Sequence, residues 1–444
     1  MPQGKSSSNR ESVSKVKDLV KAQHAWRRVC LPLMCSENAM SPTARELLAS
    51  DFQGRYANSH GEKTFIGNKY IEAVDDITNE LAKELFEAEY VELHSPSATM
   101  ACRVPILAAL KESEDLVVSL STRDGGFPTI QNMAWLRGLV PGLRFGGLPF
   151  DPVEVNIDAD AAVRLVRKER PRVVVLGATF FLFPHPVAEV SDAAHEVGAV
   201  VLYDAAQVFG LVAAKQFQRP FREGADIITG STHKTLPGPQ GGISLFRRDG
   251  DLARRVTDIQ HGATGMGHPN VRAVQAVLFA EMLEFGEKYA KQIIRNSQAL
   301  AQSLARRGFR VVGEKNGYTK SHMLVIDVSE FGGSYKAGKV LERANITGTP
   351  SGIPGKDKVL YGGKISGMRF GPEESVRLGM GVSEMDQAAE FVARALIKNE
   401  DPKRVAKDIA EFRRDYQTMH YSFDDGEPAY AFASARDPAH DVVA

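Results

Sequence analysis

Lys234 sits where a short apolar run gives way to a glycine-rich turn, in Asp226-Ile-Ile-Thr-Gly-Ser-Thr-His-Lys-Thr-Leu-Pro-Gly-Pro-Gln-Gly-Gly242. A lysine amine becomes a nucleophile near neutral pH only when it is desolvated or set near other cationic groups. A strand end flanked by His233 and small residues offers that setting. An exposed lysine before a turn would leave the same local trace. What separates the two is a second stretch, Gly198-Ala-Val-Val-Leu-Tyr-Asp-Ala-Ala-Gln207, an apolar β-type run that ends in a carboxylate. Asp204 then stands at the carboxyl end of a strand, the ligand crevice of an open α/β sheet. A lysine that forms an imine and an acid that keeps a pyridine nitrogen protonated are the protein groups that pyridoxal 5′-phosphate chemistry requires, so that cofactor is expected.

A third group fits the same cofactor. After a predicted strand over residues 90–93, His94-Ser-Pro-Ser-Ala-Thr-Met100 opens a helix. Unpaired N–H groups and small hydroxyls at a helix start make a phosphate cradle, and Ser97, Ala98 and Thr99 are the expected ligands. Plain capping of the helix would read the same way.

The elements that must hold these groups alternate along the chain. Apolar runs over residues 115–120, 172–176, 199–203 and 226–229 read as strands, separated by polar-faced helices. That alternation predicts an α/β fold with a mixed, mostly parallel sheet and helices on both faces. Helical periodicity covers residues 13–28, 71–87 and 270–291, with Pro105 expected to kink the helix that follows the phosphate cradle. Strands over 309–312 and 323–328 open a smaller C-terminal α+β lobe. The expected division is an N-terminal arm and helix over 1–45, a large cofactor-binding domain over 46–292 and a small domain over 293–444.

Composition sets the class. The 444 residues are 43% hydrophobic, enough for a large core. Fifty-five basic residues balance fifty-five acidic ones, which gives no electrostatic reason to expect nucleic acid or an anionic membrane as partner. The three cysteines, Cys30, Cys35 and Cys102, show neither metal-ligand spacing nor a disulfide framework, so no metal and a reducing cytoplasmic compartment are expected. No apolar run approaches the length of a membrane-spanning helix, and residues 1–12 are polar and serine-rich, expected to be disordered.

The lysine stretch from Thr229 to Gly242 reads T-x-x-T-H-K-T-L-x-G-P-x-G-G, and it resembles the lysine motif of serine hydroxymethyltransferase. The likeness extends to Ser36-Glu37-Asn38, Arg55-Tyr56-Ala57, Ala82-Lys-Glu-Leu-Phe86, Asp204 and Ser366-Gly-Met-Arg-Phe-Gly371, spanning roughly residues 30 to 400. It implies the fold-type I, aspartate-aminotransferase-like architecture and a homodimer with shared active sites. It also implies that Arg369 clamps the α-carboxylate of an amino-acid substrate, which a planar fork suits. Ser36 would touch that carboxylate, and Tyr56 would reach the neighbouring subunit's cofactor. Ser231 and His233 would contact the cofactor beside Lys234, with His233 also catalytic, and Thr179 would lie near the ring hydroxyl. Gly262 and Gly265, in a glycine-rich loop over 261–267, would give N–H groups to the phosphate across the dimer.

The departures from the family pattern cluster at the reacting centre. Asn58 stands where the family has a proton-handling glutamate, and an amide cannot donate a proton as a carboxylic acid does. Phe65 and Ile66 replace two tyrosines, and Gln207 replaces a histidine. Asp124 falls where a histidine lies against the ring; it would bind a cationic substrate group, or Phe127 would take the stacking role. Thr349, Pro350 and Ser351 replace a lysine and an asparagine near the folate pocket. The expected reaction is therefore aldol-type cleavage or formation of the Cα–Cβ bond of a β-hydroxy amino acid, without tetrahydrofolate, as in a threonine aldolase or transaldolase. Conventional folate-dependent hydroxymethyl transfer and α-carbon chemistry (racemase or aminotransferase) remain the alternatives.

Overall fold

The computed structural model describes residues 9–57, 65–127, 130, 138–265 and 267–430; Asn58, one of the expected substrate contacts, lies outside them. The main sheet is built from β1 (Tyr90–Glu92), β2 (Leu116–Ser119), β3 (Arg144–Gly147), β6 (Val173–Leu176), β7 (Val200–Asp204), β8 (Ile227–Ser231) and β9 (Gly242–Phe246). Between β3 and β6 the chain makes a two-stranded hairpin of β4 (Phe150–Asp151) and β5 (Asn156–Ile157). The strand order is β1-β9-β8-β7-β6-β2-β3. From β3 to β8 all neighbours are parallel, whereas β9 runs antiparallel between β8 and β1. This is the mixed, mostly parallel α/β sheet that the alternation of apolar runs predicts.

The strands are apolar on both sides because both faces are covered. Val118, Val174, Leu176, Val201 and Ile228 enter one core, while Val117, Val173, Val175, Leu202 and Ile227 enter the other. That is the two-residue alternation of a pleated strand between two helix layers. The helix Ala98–Ala109 packs on β7, β8 and β9 and runs unbroken through the buried Pro105. The helix Lys69–Phe86 buries Ile71, Asp75, Thr78, Ala82 and Leu85, a stripe at three- and four-residue spacing. Asp75 in that stripe is not stranded, because Arg272 on the facing helix pairs with it.

The facing helix, Pro269–Arg306, has 38 residues and spans about 57 Å at the α-helical rise. It places Ile293 in the core of the main sheet and Leu300 in that of the second lobe, so position 293 falls within one continuous helix. The second lobe carries β10 (Arg310–Val311), β11 (Leu324–Asp327), β12 (Thr349–Ser351) and β13 (Gly367–Phe370), antiparallel in the order β10-β11-β13-β12.

Two local expectations change. The first helix runs Asn9–Val29, so residues 9–12 are helical rather than disordered. The expected glycine loop at 261–267 is in part a helix: His261 to Thr264 close the helix Asp251–Thr264, and Gly265 ends it at φ 71°. A glycine at 262 is tolerated within a turn that the preceding residues propagate, and the left-handed stop needs only one glycine.

Candidate active site

The carboxyl ends of β6, β7 and β8 open on one crevice, and each delivers one group. Past β6 comes Thr179, β7 ends on Asp204, and β8 leads through Ser231 to His233 and Lys234. Two glycines make the close approaches. At Gly177, with φ 116°, a Cβ would stand 2.1 Å from the Asp204 carbonyl oxygen; at Gly242 it would stand 2.3 Å from the Ser97 carbonyl oxygen. Gly242, the last glycine of the lysine motif, therefore lets β9 lie against the phosphate cradle.

A cavity of about 350 Å³ lies over these strand ends. Asp204, Lys234 and His233 line one part of it, Thr179 and Gln207 another, and Ser97, Ala98 and Thr99 a third. Ser97 is the N-cap of the helix Ala98–Ala109 and accepts from the Met100 amide at 3.3 Å. A second chamber of about 810 Å³ shares Lys234, His233 and Gln240 with the first and is walled by Ser36 and Asn38. Asn38 Nδ2 donates to the Lys234 carbonyl at 2.7 Å and to the Tyr289 hydroxyl at 2.8 Å, fixing the turn that carries the lysine.

The electrostatics follow from burial. Removal from water pushes the Asp204 carboxyl up to about 6, against the pull of the Ala206 amide 2.9 Å from Oδ1, the Cys102 thiol and Lys234. A cation placed against Asp204 favours the charged carboxylate and draws it back down. Burial lowers Lys234 to about 8, with Asp204 opposing and Arg369 assisting. His233 is lowered to about 4, by burial first and by Lys234 second, so the imidazole is neutral at pH 7. The site thus holds an amine with an accessible neutral form, a neutral imidazole and an acid that waits for a cation.

Arg369 reaches this crevice from β13 in the other lobe. Its Nη1 donates to the Thr179 carbonyl at 2.7 Å, its Nη2 donates to the Tyr361 hydroxyl at 2.8 Å, and its buried Nε has no partner. Gln207 Oε1 and His233 Nδ1, on the same walls, are also buried without partners. Buried polar atoms in a folded protein are nearly always satisfied, so this group is complementary to a polar occupant that brings an anionic acceptor to Arg369 Nε and a donor to Gln207 Oε1. The residues present fit pyridoxal phosphate: Lys234 as the attaching amine, Asp204 for the ring nitrogen, and Ser97 with the following helix N-terminus for the phosphate.

Several expected site residues stand elsewhere. Asp124 does not line either chamber; its carboxylate accepts from Ser121 Oγ at 2.6 Å while its amide donates back at 3.2 Å. That reciprocal cap of a short 3₁₀ turn points Asp124 away, and Phe127 lines the cavity in its stead. The Ser231 hydroxyl donates to the Ala206 carbonyl at 2.5 Å, which ties β8 to the segment after β7, and Ser231 lines neither chamber. Tyr56 is exposed and stacks on Phe65 at 5.2 Å, and Gly262 and Gly265 line neither chamber. Tyr361 and Gln240 are on the cavity wall without having been singled out. The glycine-flanked aromatic in Leu360-Tyr-Gly-Gly363 is the signal that marks Tyr361.

Because only the neutral amine attacks an aldehyde, capture of pyridoxal phosphate by cofactor-free protein is expected to accelerate about tenfold per pH unit up to about pH 8 and then level off. Stopped-flow absorbance measures this; a rate that keeps rising about tenfold per pH unit to about pH 10, with no levelling near pH 8, would show that Lys234 keeps an ordinary, exposed amine.

The serine hydroxymethyltransferase family model matches residues 10–392. The chain is 42% identical over 418 residues to the serine hydroxymethyltransferase of Methanocaldococcus jannaschii, covering 93% of this chain and 96% of that one. It is 42% identical over 426 residues to that of Pyrococcus horikoshii, covering 94% and 99%. Among solved structures, L-threonine transaldolase from Pseudomonas fluorescens in its internal aldimine state superposes with a TM-score of 0.85 at 28% identity, covering 94% of each chain.

Proposed function

The chain belongs to the serine hydroxymethyltransferase family and is a pyridoxal phosphate-dependent transferase; from that premise we propose that it makes and breaks the Cα–Cβ bond of β-hydroxy amino acids and passes the aldehyde without tetrahydrofolate. The observation that carries the folate-independent reading is β12. Thr349, Pro350 and Ser351 pair with β13, the Ser351 hydroxyl donates to the Gly352 carbonyl at 3.0 Å, and Pro350 has no N–H. That edge offers neither the cation nor the amide that the resemblance associates with folate.

When bound, the cofactor supplies an electron-accepting ring. Asp204 keeps a proton at the ring nitrogen. Arg369, through its Nε and Nη2 edge, and Ser36 would hold the α-carboxylate, which restricts how the Cα–Cβ bond is oriented in the cavity. Lys234 in its neutral form and the neutral His233 are the bases within the cavity, and one of them would take the β-hydroxyl proton as the bond to Cβ breaks. Phe127 covers the cavity wall and excludes water that would compete for the aldehyde.

The second subunit's site completes this reading. Tyr56, Gly262 and Gly265 lie outside their own chain's cavity and are available to a partner copy. Val13, Val16 and Val20 form an exposed apolar stripe at helical spacing on Asn9–Val29, which suits burial against that copy. Among the described residues no helix is long and apolar enough to cross a membrane.

The test is incubation of the holoenzyme with L-serine, L-threonine and L-alanine, with and without tetrahydrofolate. Aldehyde from a β-hydroxy amino acid in the absence of folate is the expected result. Aldehyde transfer only with folate would establish the conventional reaction, which the names of the archaeal relatives favour; 2-oxo acid or inverted amino acid without aldehyde would establish α-carbon chemistry. Arg369→Lys is expected to raise KM for the amino acid by about 10- to 100-fold with a smaller change in kcat, since an ammonium keeps the charge and loses the fork. An unchanged KM would remove Arg369 from substrate binding.

A further inference from the structure

Tyr361 spans the wall between solvent and cavity: the residue is 42% exposed, yet its hydroxyl accepts from Arg369 Nη2 at 2.8 Å inside the crevice. It belongs to the loop between β12 and β13. The body of that loop is tied down, with the Gly352 amide donating to the Leu360 carbonyl at 2.7 Å. Asp357 Oδ2 also accepts from the Ile353 amide at 2.8 Å and the Ser366 amide at 2.9 Å. The tip differs. Gly362 and Gly363 follow Tyr361 in left-handed conformation, at φ 76° and 61°, and both are exposed. Besides the bond from Arg369, the Gly362 amide donates to the Tyr335 hydroxyl at 3.1 Å.

The donors of Arg369 are unequally committed. Nη1 serves the Thr179 carbonyl, which belongs to the backbone and stays, and Nε is buried with no partner. The edge left for a carboxylate is Nε with Nη2, the side-on fork that takes two carboxylate oxygens at once. One of those two positions is held by the Tyr361 phenol. A neutral phenol on a guanidinium is a weaker partner than a carboxylate, so the exchange favours the carboxylate.

We propose that Tyr361 is a displaceable latch, a specificity-determining residue whose hydroxyl occupies the carboxylate position on Arg369 until an α-amino acid takes it, releasing the 361–363 tip from the cavity wall. The proposal rests on the reading of Arg369 as the carboxylate clamp. It assigns a purpose to the paired glycines, which let the tip swing while the Asp357 ties hold the loop body. It also makes the latch selective for the anionic end of the ligand and indifferent to its side chain.

Two measurements on the cofactor-loaded enzyme test it. In Tyr361→Phe the competitor at Nη2 is gone, so glycine, titrated by the change in cofactor absorbance, should bind about three- to tenfold more tightly than to the unaltered enzyme. In the unaltered enzyme, saturating glycine should speed tryptic cleavage at the exposed Lys364 and Lys358 severalfold. Glycinamide, which has the amine without the carboxylate, should not; in Tyr361→Phe cleavage should be fast without any ligand. Weaker or unchanged glycine affinity in Tyr361→Phe, or acceleration of cleavage by glycinamide equal to that by glycine, overturns the latch. If glycine perturbs the absorbance of the unaltered enzyme while Tyr361→Phe binds it unchanged, the latch fails and the amino-acid reading stands; if glycine perturbs nothing, both fail.

Discussion

Asp204→Asn is expected to lower turnover by about 10³-fold while the cofactor stays attached to Lys234. The asparagine is nearly isosteric, and its amide oxygen still accepts from Ala206, so the turn after β7 survives. What is lost is the negative charge that holds a proton on the pyridine nitrogen, and with it the ring's capacity to accept the electron pair of the broken bond. Burial raises Asp204 only to about 6, so at neutral pH the wild-type acid is available as the anion, and a ring cation favours that anion further. The check is a pair of readings on one sample: absorbance at about 420 nm retained, kcat collapsed. Equal kcat in Asp204→Asn and wild type would mean that this carboxylate does not face the ring nitrogen.

Lys234→Ala is expected to lose nearly all activity, on the order of 10⁴-fold, and to lose the covalent attachment with it. Among the described residues no second amine lines the cavity, Lys234 being the single lysine on its wall. Arg369, the other cation at the crevice, cannot stand in, since a guanidinium stays protonated. Borohydride treatment of the wild type should fix the cofactor at position 234 and leave the variant unlabelled. A small primary amine added to Lys234→Ala should restore part of the rate, because the alanine leaves room for it. Full activity in the variant, or label at another lysine, would dismiss the assignment of Lys234.

The parts of the site that could be read along the chain are those carried by short, continuous segments. Lys234 with its glycine turn, Asp204 at the end of an apolar run, and Ser97-Ala98-Thr99 at a helix start each announce themselves through neighbours a few residues away, and all three line one cavity. Arg369 was legible only through the family likeness. Asp124 shows the opposite case. Its match to a family histidine suggested the cofactor ring, but the 3₁₀ turn returns its carboxylate to Ser121, and the next aromatic, Phe127, lines the wall. Ser231 differs similarly: a hydroxyl three residues before the lysine is as close in sequence as a ligand would be, yet it serves the Ala206 carbonyl. In both cases a hydrogen bond to a nearby partner decided which way the side chain points, and such a bond leaves no periodic trace.

From its residues alone this protein has its cofactor chemistry, its parallel sheet and the strand ends that bear the reactive groups, because hydrophobic alternation and glycine turns act over a few positions and survive in one dimension. Only the tertiary structure decided what the two lobes share. The 38-residue helix Pro269–Arg306 and the antiparallel β13 carry Arg369 across to Thr179, 190 positions away in sequence, and the loop before β13 returns Tyr361 to the same guanidinium. Those contacts depend on how two separately packed cores meet, a property of summed surface complementarity that no local pattern of residue types encodes.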